Sequence, residues 1–268
     1  MNDHFSLGRN RMSFNALNRI TLAISLLASA AVGAETTLAA VASDFTKPMT
    51  EIAEAFEKAT GHSAKLSFGS SGKAFAQIQS GAPFEIYLSA SEKYPQELEK
   101  SGFTVPGSHF VYAIGKLVLW SPKTDYVDDQ GAILTAGTFN HIALADPSHA
   151  PYGVVAEQVM TSLGVVEKLR PLFVMGENIS QTYQFVSTGN AELGFVGLAQ
   201  VIDVNTGKIT SGSGWIVPDN LHSPFNQSAV LLKTGAENPA ATALLKFLKS
   251  PTALTIIEKY GFGLPKQP

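Results

Sequence analysis

Apolar and polar positions follow one another along this chain in a pattern that predicts alternating strands and helices. The run Thr37–Ser43 is apolar throughout and has the length of a buried strand. Apolar residues then recur with the spacing of one helix face, at Met49, Ile52, Ala53 and Phe56. Gly61 follows this segment, as is typical of a helix end. A strand followed by a helix, repeated, predicts a largely parallel sheet covered by helices.

The same alternation continues in two sets. In the first set we predict strands at Ala64–Phe68 and Phe84–Ala90, with helices at Lys73–Gln79 and Tyr94–Lys100. A longer β-rich stretch covers Val111–Trp120. The second set comprises Ile142–Ala145, Tyr152–Leu163, Leu172–Met175, Ile179–Thr188 and Leu193–Leu198. The alternation breaks at Gly207–Gly214, and a strand at Ser228–Leu232 precedes two helices at Ala240–Lys249 and Thr252–Tyr260.

The two sets predict an α/β fold with two lobes, each a mixed, mostly parallel sheet flanked by helices. The segment after residue 222 is too short to fold alone, so we expect it to return to the first lobe. We therefore predict that residues 35–113 and 223–268 form lobe one and that residues 114–222 form lobe two. Two strands would cross between the lobes as a hinge, which creates a cleft, the usual place for a small ligand.

The N-terminus has the three parts of a secretory signal peptide. A segment with three arginines precedes the apolar run Ile20–Ala31, and small residues end at Ala34. The apolar run is shorter than the roughly 20 residues of a membrane span. We expect cleavage after Ala34, so that residues 1–34 are removed and the mature protein is periplasmic. The alternative is an uncleaved membrane anchor.

Composition excludes several classes of function. Without residues 1–34 the chain keeps 16 basic and 21 acidic residues, a net charge of −5, which disfavours nucleic acid as a partner. The 268 residues include no cysteine, so thiolate chemistry and zinc–cysteine sites are excluded. We also predict no later segment long enough to span a bilayer.

Four turns follow strands and precede helices, where α/β folds bind their ligands. They are Ser43-Asp44, Gly69–Gly72, Asp146–Gly153 and Gly176–Ile179. Each helix beginning offers unpaired backbone amides and a partial positive charge. Since none of the four turns contains Lys or Arg, they predict an anion site built from uncharged donors.

Simpler interpretations of these residues remain open. A serine before a helix is often only an N-cap, which would account for Ser43 and Ser71. Gly69 and Gly72 are compatible with plain turns, and Tyr152 with an ordinary core. The carboxylate of Asp44 should point away from an anion or cap the helix, leaving its amide for the ligand.

An enzyme is the alternative class of function, with Ser71 as the nucleophile. The sequence has no G-x-S-x-G elbow, no phosphate-binding G-x-x-x-x-G-K-[ST] loop and no H-E-x-x-H zinc motif. His141 and His149 are eight residues apart across a strand and a loop, which is not the spacing of metal ligands on a helix. No motif supplies a base for Ser71.

At the same turns the chain resembles the periplasmic molybdate-binding proteins of ABC transporters, over about residues 37–264. The resemblance is carried by the stretches AVASDFTKPMTEIAEAFEKATGH, SFGSSGKAFAQIQSGAPFEIYLSASEKYPQEL, YAIGKLVLWSPK, ADPSHAPYGVVAEQVM, LGFVGLAQV and IIEKYGFGLP. It implies the fold of a type II periplasmic binding protein, two lobes joined by two crossover strands. It also implies molybdate or tungstate as ligand and a membrane permease as partner, with no cofactor and no free metal ion.

The resemblance also implies which residues hold the oxyanion. Carried over by matching motif, they are Ser43, Asp44, Ser71, Tyr152 and, through its backbone amide, Ile179. Some members have a Tyr where this chain has Gly197, and we expect Tyr152 to take over that contact. Glu85 and Ser91 stand where many members have Asp, outside the expected donors. Sulfate, another oxyanion or a small organic acid remains an alternative ligand, and we expect a monomer.

Overall fold

The computed structural model of the protein describes Met1, Asp3 and residues 33–265. The predicted signal peptide lies almost entirely outside the described residues, and its cleavage stays a prediction. The described strands are β1 (Thr36–Ala42), β2 (Ser63–Gly69), β3 (Ile86–Ser89), β4 (Phe110–Ile114), β5 (Leu117–Ser121), β6 (Ile142–Ala145), β7 (Phe173–Gly176), β8 (Leu193–Gly197), β9 (Ile202–Asp203), β10 (Lys208–Ile209), β11 (Ser213–Ile216) and β12 (Asn226–Leu231).

Helices cover both sheets. They are α1 (Thr46–Thr60), α2 (Ser71–Gln79), α3 (Lys93–Lys100), α4 (Ile133–Ala136), α5 (Pro151–Ser162), α6 (Val166–Leu169), α7 (Ile179–Ser187), α8 (Leu198–Val201), α9 (Pro239–Phe247) and α10 (Pro251–Lys259). A 3₁₀ turn, Ser43–Phe45, separates β1 from α1. Among the described residues no single helix is long and apolar enough to cross a membrane. Only the bent pair α9 and α10 passes that test jointly, by length and composition.

The strands form two mixed sheets of the same design. One has the order β2-β1-β3-β12-β4 and the other β7-β6-β8-β5-β11. In each sheet the first three strands in this order pair in parallel, and the remaining pairings are antiparallel. The opening strand of each set, β1 or β6, therefore lies between the two strands that follow it in the chain. This arrangement confirms the predicted two-lobed α/β fold and places the turns after β1, β2, β6 and β7 at sheet edges that carry ligands in such folds.

The chain crosses between the sheets twice, through residues 115–116 and 217–225. The two crossing segments are bonded to each other, since the Gly115 amide donates to the Phe225 carbonyl oxygen at 2.9 Å. An added Cβ at Gly115 would lie 2.9 Å from the Phe225 ring, so this close approach requires glycine. The β-rich stretch predicted over Val111–Trp120 consists of two strands, β4 and β5, which belong to different sheets. The predicted bounds of the two lobes stay a prediction.

Each sheet has its own hydrophobic core. In the first lobe, three of the apolar residues that predicted α1 are fully buried, namely Met49, Ile52 and Phe56. They pack with the strands of the first sheet and with α9 and α10, which shows why the C-terminal helices return to this lobe. Burial of such a side chain stabilises the fold by about 1.5–3 kcal/mol relative to exposure.

The elements α4, α6, α8, β9, β10 and β11 were not predicted. β11 begins within the stretch where the alternation was expected to break, and it pairs with β5 at the edge of the second sheet. Four residues that include a glycine carry too little periodicity to predict a strand. Their conformation comes from pairing with β5 and from burial of Trp215, which is a tertiary effect.

Gly153 tests how tightly α5 packs against the second sheet. An added Cβ would lie 2.0 Å from the Ala145 carbonyl oxygen, a backbone atom that cannot move aside. We expect Gly153→Ala to lower the free energy of unfolding by about 3 kcal/mol, as overpacking does. Urea unfolding followed by tryptophan fluorescence measures this change. Gly69→Ala is the matched control, because nothing lies within 4 Å of its added Cβ. An equal decrease in the free energy of unfolding in both variants would contradict the packing argument.

Candidate functional site

A small cavity lies between the two sheets, and all four predicted turns line it. The empty space there is about 200 Å³. The predicted site residues that line this space are Ser43, Asp44, Ser71, Tyr152 and Ile179. Ser71, Tyr152 and Ile179 lie in the first turns of α2, α5 and α7, respectively. Ser43 and Asp44 lie in the 3₁₀ turn that precedes α1. The fold therefore brings together residues that are as much as 136 positions apart in the sequence.

Ser71 has a hydroxyl proton available for the cavity. Its Oγ accepts the Ala90 amide at 3.0 Å, and its carbonyl oxygen accepts the Tyr87 hydroxyl at 2.7 Å. The N-cap of α2 is Ser70, whose Oγ accepts the Lys73 amide at 3.4 Å. Because Ser70 does the capping, the interpretation of Ser71 as an N-cap is wrong. An accepting hydroxyl still has its own proton to donate, and Ser71 is 1% exposed.

Ser43 contacts the opposite lobe directly. Its hydroxyl donates to Asn178 Oδ1 at 3.2 Å, and its carbonyl oxygen accepts the Ser180 hydroxyl at 3.1 Å. Ser43 caps no helix, so the N-cap interpretation is wrong here too. Asn178 is instead the N-cap of α7, since its Oδ1 accepts the Ser180 and Gln181 amides. The Ser43–Asn178 bond is long for a hydroxyl donor, and a hydroxyl rotates freely toward a better acceptor.

The carboxyl group of Asp44 is buried at the edge of the cavity. Its Oδ2 accepts the Tyr152 hydroxyl at 3.0 Å and also the Gln227 side-chain amide. Its Oδ1 is buried and has no hydrogen-bond partner among the described residues. Burial raises the pKa of Asp44 to about 6, although the bonds from Gln227 and Tyr152 work in the opposite direction. The side chain does not cap a helix.

Tyr152 forms part of the wall with its ring and binds Asp44 with its hydroxyl. Burial raises its pKa well above the ordinary value, and the neighbouring Asp44 charge adds to this, so the phenol stays protonated. An added Cβ at Gly197 would lie 3.3 Å from the Tyr152 hydroxyl oxygen. A large side chain at position 197 would therefore meet Tyr152 where it stands. Replacement of a contact from position 197 by Tyr152 stays a prediction.

The remaining donors are backbone amides at helix beginnings. Ile179 is the first residue of α7, and Tyr152 is the second of α5 after Pro151. Amides in the first turn have no acceptor within their own helix, and the aligned peptide dipoles favour negative charge there. These amides supply fixed donors that need no side-chain ordering.

The lining of the cavity contains no Lys, Arg or His among the residues that the structure describes. The nearest interlobe ion pair, Lys73 Nζ to Glu177 Oε1 at 2.8 Å, has both side chains about half exposed. An exposed pair of this kind contributes at most about 1 kcal/mol. The described lining therefore combines hydroxyl and amide groups with small apolar side chains, and Asp44 is its one ionisable carboxyl.

The lobes are held against each other beside the cavity by backbone. The Gly72 amide donates to the His149 carbonyl oxygen at 2.8 Å. An added Cβ at Gly72 would lie 2.7 Å from His149 Cβ, so only glycine permits this approach. Gly72 is thus more than a turn residue, because closure of the lobes depends on it.

Two polar residues at the site were missed by sequence reasoning. Asn178 was read only as part of a turn, and Gln227 was not considered, although it is fully buried within β12. The Tyr112 hydroxyl donates to Gln227 Oε1 at 2.7 Å, which fixes the amide so that its nitrogen faces Asp44. Gln227 directly precedes the predicted strand Ser228–Leu232, and its burial there indicates hydrogen-bond partners, because buried polar groups have them.

The nucleophile hypothesis for Ser71 finds no support in the geometry. Its Oγ is bonded to an amide and not to a base. Among the described residues there is also no group of three or more His, Cys, Asp or Glu that would hold a metal ion. A serine without a base is a hydrogen-bond donor rather than an activated nucleophile.

Comparison with known proteins agrees with this geometry. Residues 37–263 match the family described as bacterial extracellular solute-binding protein. A molybdate-binding protein ModA of Azotobacter vinelandii is 52% identical over 255 residues, which cover 94% of this chain and 100% of that protein. A second ModA, from Rhodobacter capsulatus, is 51% identical over 243 residues, 91% of this chain and 93% of that protein.

The solved structure of the Azotobacter vinelandii periplasmic molybdate-binding protein has the same fold. It superposes with a TM-score of 0.83 at 42% sequence identity, and the match covers 86% of this chain and 100% of that one. Fold, cavity and sequence agree on one assignment. The chain belongs to the bacterial extracellular solute-binding proteins, in the group that contains the periplasmic molybdate-binding proteins ModA.

Proposed function

We propose that this protein captures molybdate, and also tungstate, in the cavity between its lobes and delivers it to the membrane permease of an ABC transporter. The observation that carries the proposal is the meeting of three α-helix beginnings and the 3₁₀ turn after β1 around about 200 Å³, with no cationic side chain among the described residues of the wall. Relatives that are 52% and 51% identical are named molybdate-binding proteins, which supports the same ligand here.

The size and donors of the cavity favour an inorganic tetrahedral anion. The cavity is small, and hydroxyls and helix-start residues line it, which suits a compact anion better than a drug-sized ligand. A small organic acid is usually bound by an arginine, and none lines the cavity among the described residues. Sulfate has the same charge on a smaller tetrahedron, so we expect it to make fewer of the contacts at once.

We assign the binding groups as follows. The hydroxyls of Ser43 and Ser71 and the amides of Tyr152 and Ile179 donate to the anion oxygens, while Asp44 completes the wall. Fixed dipoles and hydroxyls stabilise an ionised anion without a flexible countercharge. The protein is not an enzyme, and its chemistry is the desolvation and release of an unchanged anion.

We further propose that the mature protein acts in the periplasm as a monomer. Removal of residues 1–34 would release it there, in agreement with the name of its Azotobacter vinelandii relative. One chain supplies every wall of the cavity, so a second copy is not needed to complete it.

Oxyanion titration tests the ligand directly. We expect calorimetry to show micromolar or tighter binding of molybdate and tungstate, with sulfate and phosphate much weaker. Ser71→Ala should weaken molybdate binding about 10- to 100-fold, since a hydrogen bond to a charged group contributes about 1.5–3 kcal/mol. Ser67→Ala is the control, because Ser67 is exposed on β2 and outside the cavity. No heat and no rise in Tm with micromolar molybdate would refute the proposal.

Lobe closure offers an independent test through Gly72. We expect Gly72→Ala to weaken molybdate binding at least tenfold, because its Cβ would lie 2.7 Å from His149 Cβ when the lobes close. Small-angle X-ray scattering should show less contraction on addition of molybdate than in the wild type. Lys73→Ala removes the exposed interlobe ion pair without adding volume, so it should weaken molybdate binding less than about fivefold. Unchanged affinity and contraction in Gly72→Ala would mean that this contact does not limit closure.

A further inference from the structure

We propose that Asp44 carries a proton in the oxyanion complex and donates it in a hydrogen bond to the bound anion, so that each anion is bound together with one proton. The proton comes from solvent, the carboxylate becomes a carboxylic acid, and no bond of the anion is made or broken. The inference rests on the proposed function, because it concerns the same cavity.

The hydrogen bonds around Asp44 leave one carboxyl oxygen without a donor. Tyr152 and Gln227 both donate to Oδ2, and Tyr112 fixes the Gln227 amide in the orientation that makes this possible. Oδ1 is buried and accepts no well-formed hydrogen bond in the part of the chain that the structure describes; only the amides of Asp44 and Phe45 approach the carboxyl. A buried acceptor without a well-placed donor is destabilising, and more so when it is charged. A proton on Oδ1 removes the charge and turns that oxygen into a donor.

No neighbouring cation compensates a charge on Asp44. The side chains that face the carboxyl are Tyr152 of α5, Gln227 of β12 and, behind it, Tyr112 of β4. The amides of Asp44 and Phe45 face it from its own turn. α7 and α8, which also pack against this turn, contain no charged residue. Lys47 at the beginning of α1 is bonded elsewhere, to the Gln200 carbonyl oxygen at 3.1 Å.

The bound anion is the acceptor that remains for this proton. Asp44 lines the cavity and its Oδ2 is already occupied, so an anion oxygen there would give Oδ1 the well-formed hydrogen bond that it lacks. An ionised Asp44 would instead place a third negative charge beside a dianion within a cavity from which water is excluded. Such like-charge contact in a low dielectric is strongly unfavourable.

The direction of the titration follows from this geometry. Burial already raises the pKa of Asp44 to about 6 in the closed protein without ligand. A dianion beside the carboxyl raises its pKa further. At pH 7.5 Asp44 is therefore mostly ionised before binding and neutral afterwards. Binding takes up a proton, and affinity must fall as the pH rises above about 7.

A neutral Asp44 also acts on specificity. As a donor it pairs with an oxyanion that has no proton of its own. Protonated phosphate would bring a second donor to the same place and leave two hydrogens facing each other. Asp44 thereby selects for fully deprotonated anions, although the residue is itself an acid.

Calorimetry in buffers of different protonation enthalpy tests this inference. At pH 7.5 the observed enthalpy of molybdate binding should vary linearly with the protonation enthalpy of the buffer. The slope should correspond to the uptake of nearly one proton per anion. Between pH 7 and 9, where molybdate stays a dianion, the wild-type Kd should rise about tenfold per pH unit, as linkage to one proton requires. Asp44→Asn, which imitates the neutral carboxyl, should bind molybdate with no proton uptake and with a nearly constant Kd.

Asp128→Asn is the matched control. The Asp128 carboxylate is exposed and accepts the Gln130 amide at 2.8 Å, far from the cavity lining, so proton uptake should equal that of the wild type. Molybdate binding without proton uptake in the wild type would overturn the inference and leave the proposed function standing, whether or not Asp44→Asn folds. If a folded Asp44→Asn variant took up as much proton on molybdate binding as the wild type, another group would bind the proton and the inference would be wrong. Absence of any molybdate binding would overturn both.

Discussion

The backbone amides at the beginning of a helix have no acceptor within that helix, and several such amides face one cavity in this protein. Water satisfies them while the cleft is open. When the lobes close on a space of about 200 Å³, the amides and the Ser71 hydroxyl need another acceptor. A tetrahedral anion offers four oxygens to donors that come from different directions. The same requirement is consistent with an anion as ligand and with the lack of Lys and Arg in the described lining.

The fold supplies these amides by using one topology twice. In both sheets the opening strand lies between the next two, so that its turn and the turn of its neighbour lie side by side. Each lobe therefore contributes two turns, and the two crossing segments allow the lobes to face each other. Gly72 and Gly153 then permit contacts with backbone atoms of the second lobe that any side chain would block. Glycine is required at these two positions because backbone segments approach closely there. Backbone conformation is not the reason, since neither glycine has a positive φ.

Much of this arrangement could be predicted from the sequence because it depends on local pattern. The apolar spacing through Met49 and Phe56 predicted α1, and the position of each turn between a strand and a helix predicted which residues would meet. The pairing of Ser43 with Asn178 could not be predicted, because it joins lobes across 135 residues. The hydrogen bond from Gln227 to Asp44 depends in the same way on a strand that returns from the end of the chain.

The most direct test of the account is a crystal structure of the protein grown with molybdate, with diffraction recorded on both sides of the molybdenum absorption edge. Anion binding at the proposed site predicts one strong anomalous peak within the cavity. The anion oxygens should lie within hydrogen-bond distance of the Ser43 and Ser71 hydroxyls and of the Tyr152 and Ile179 amides. A peak elsewhere on the protein, or an anion held by Lys or Arg side chains, would contradict it.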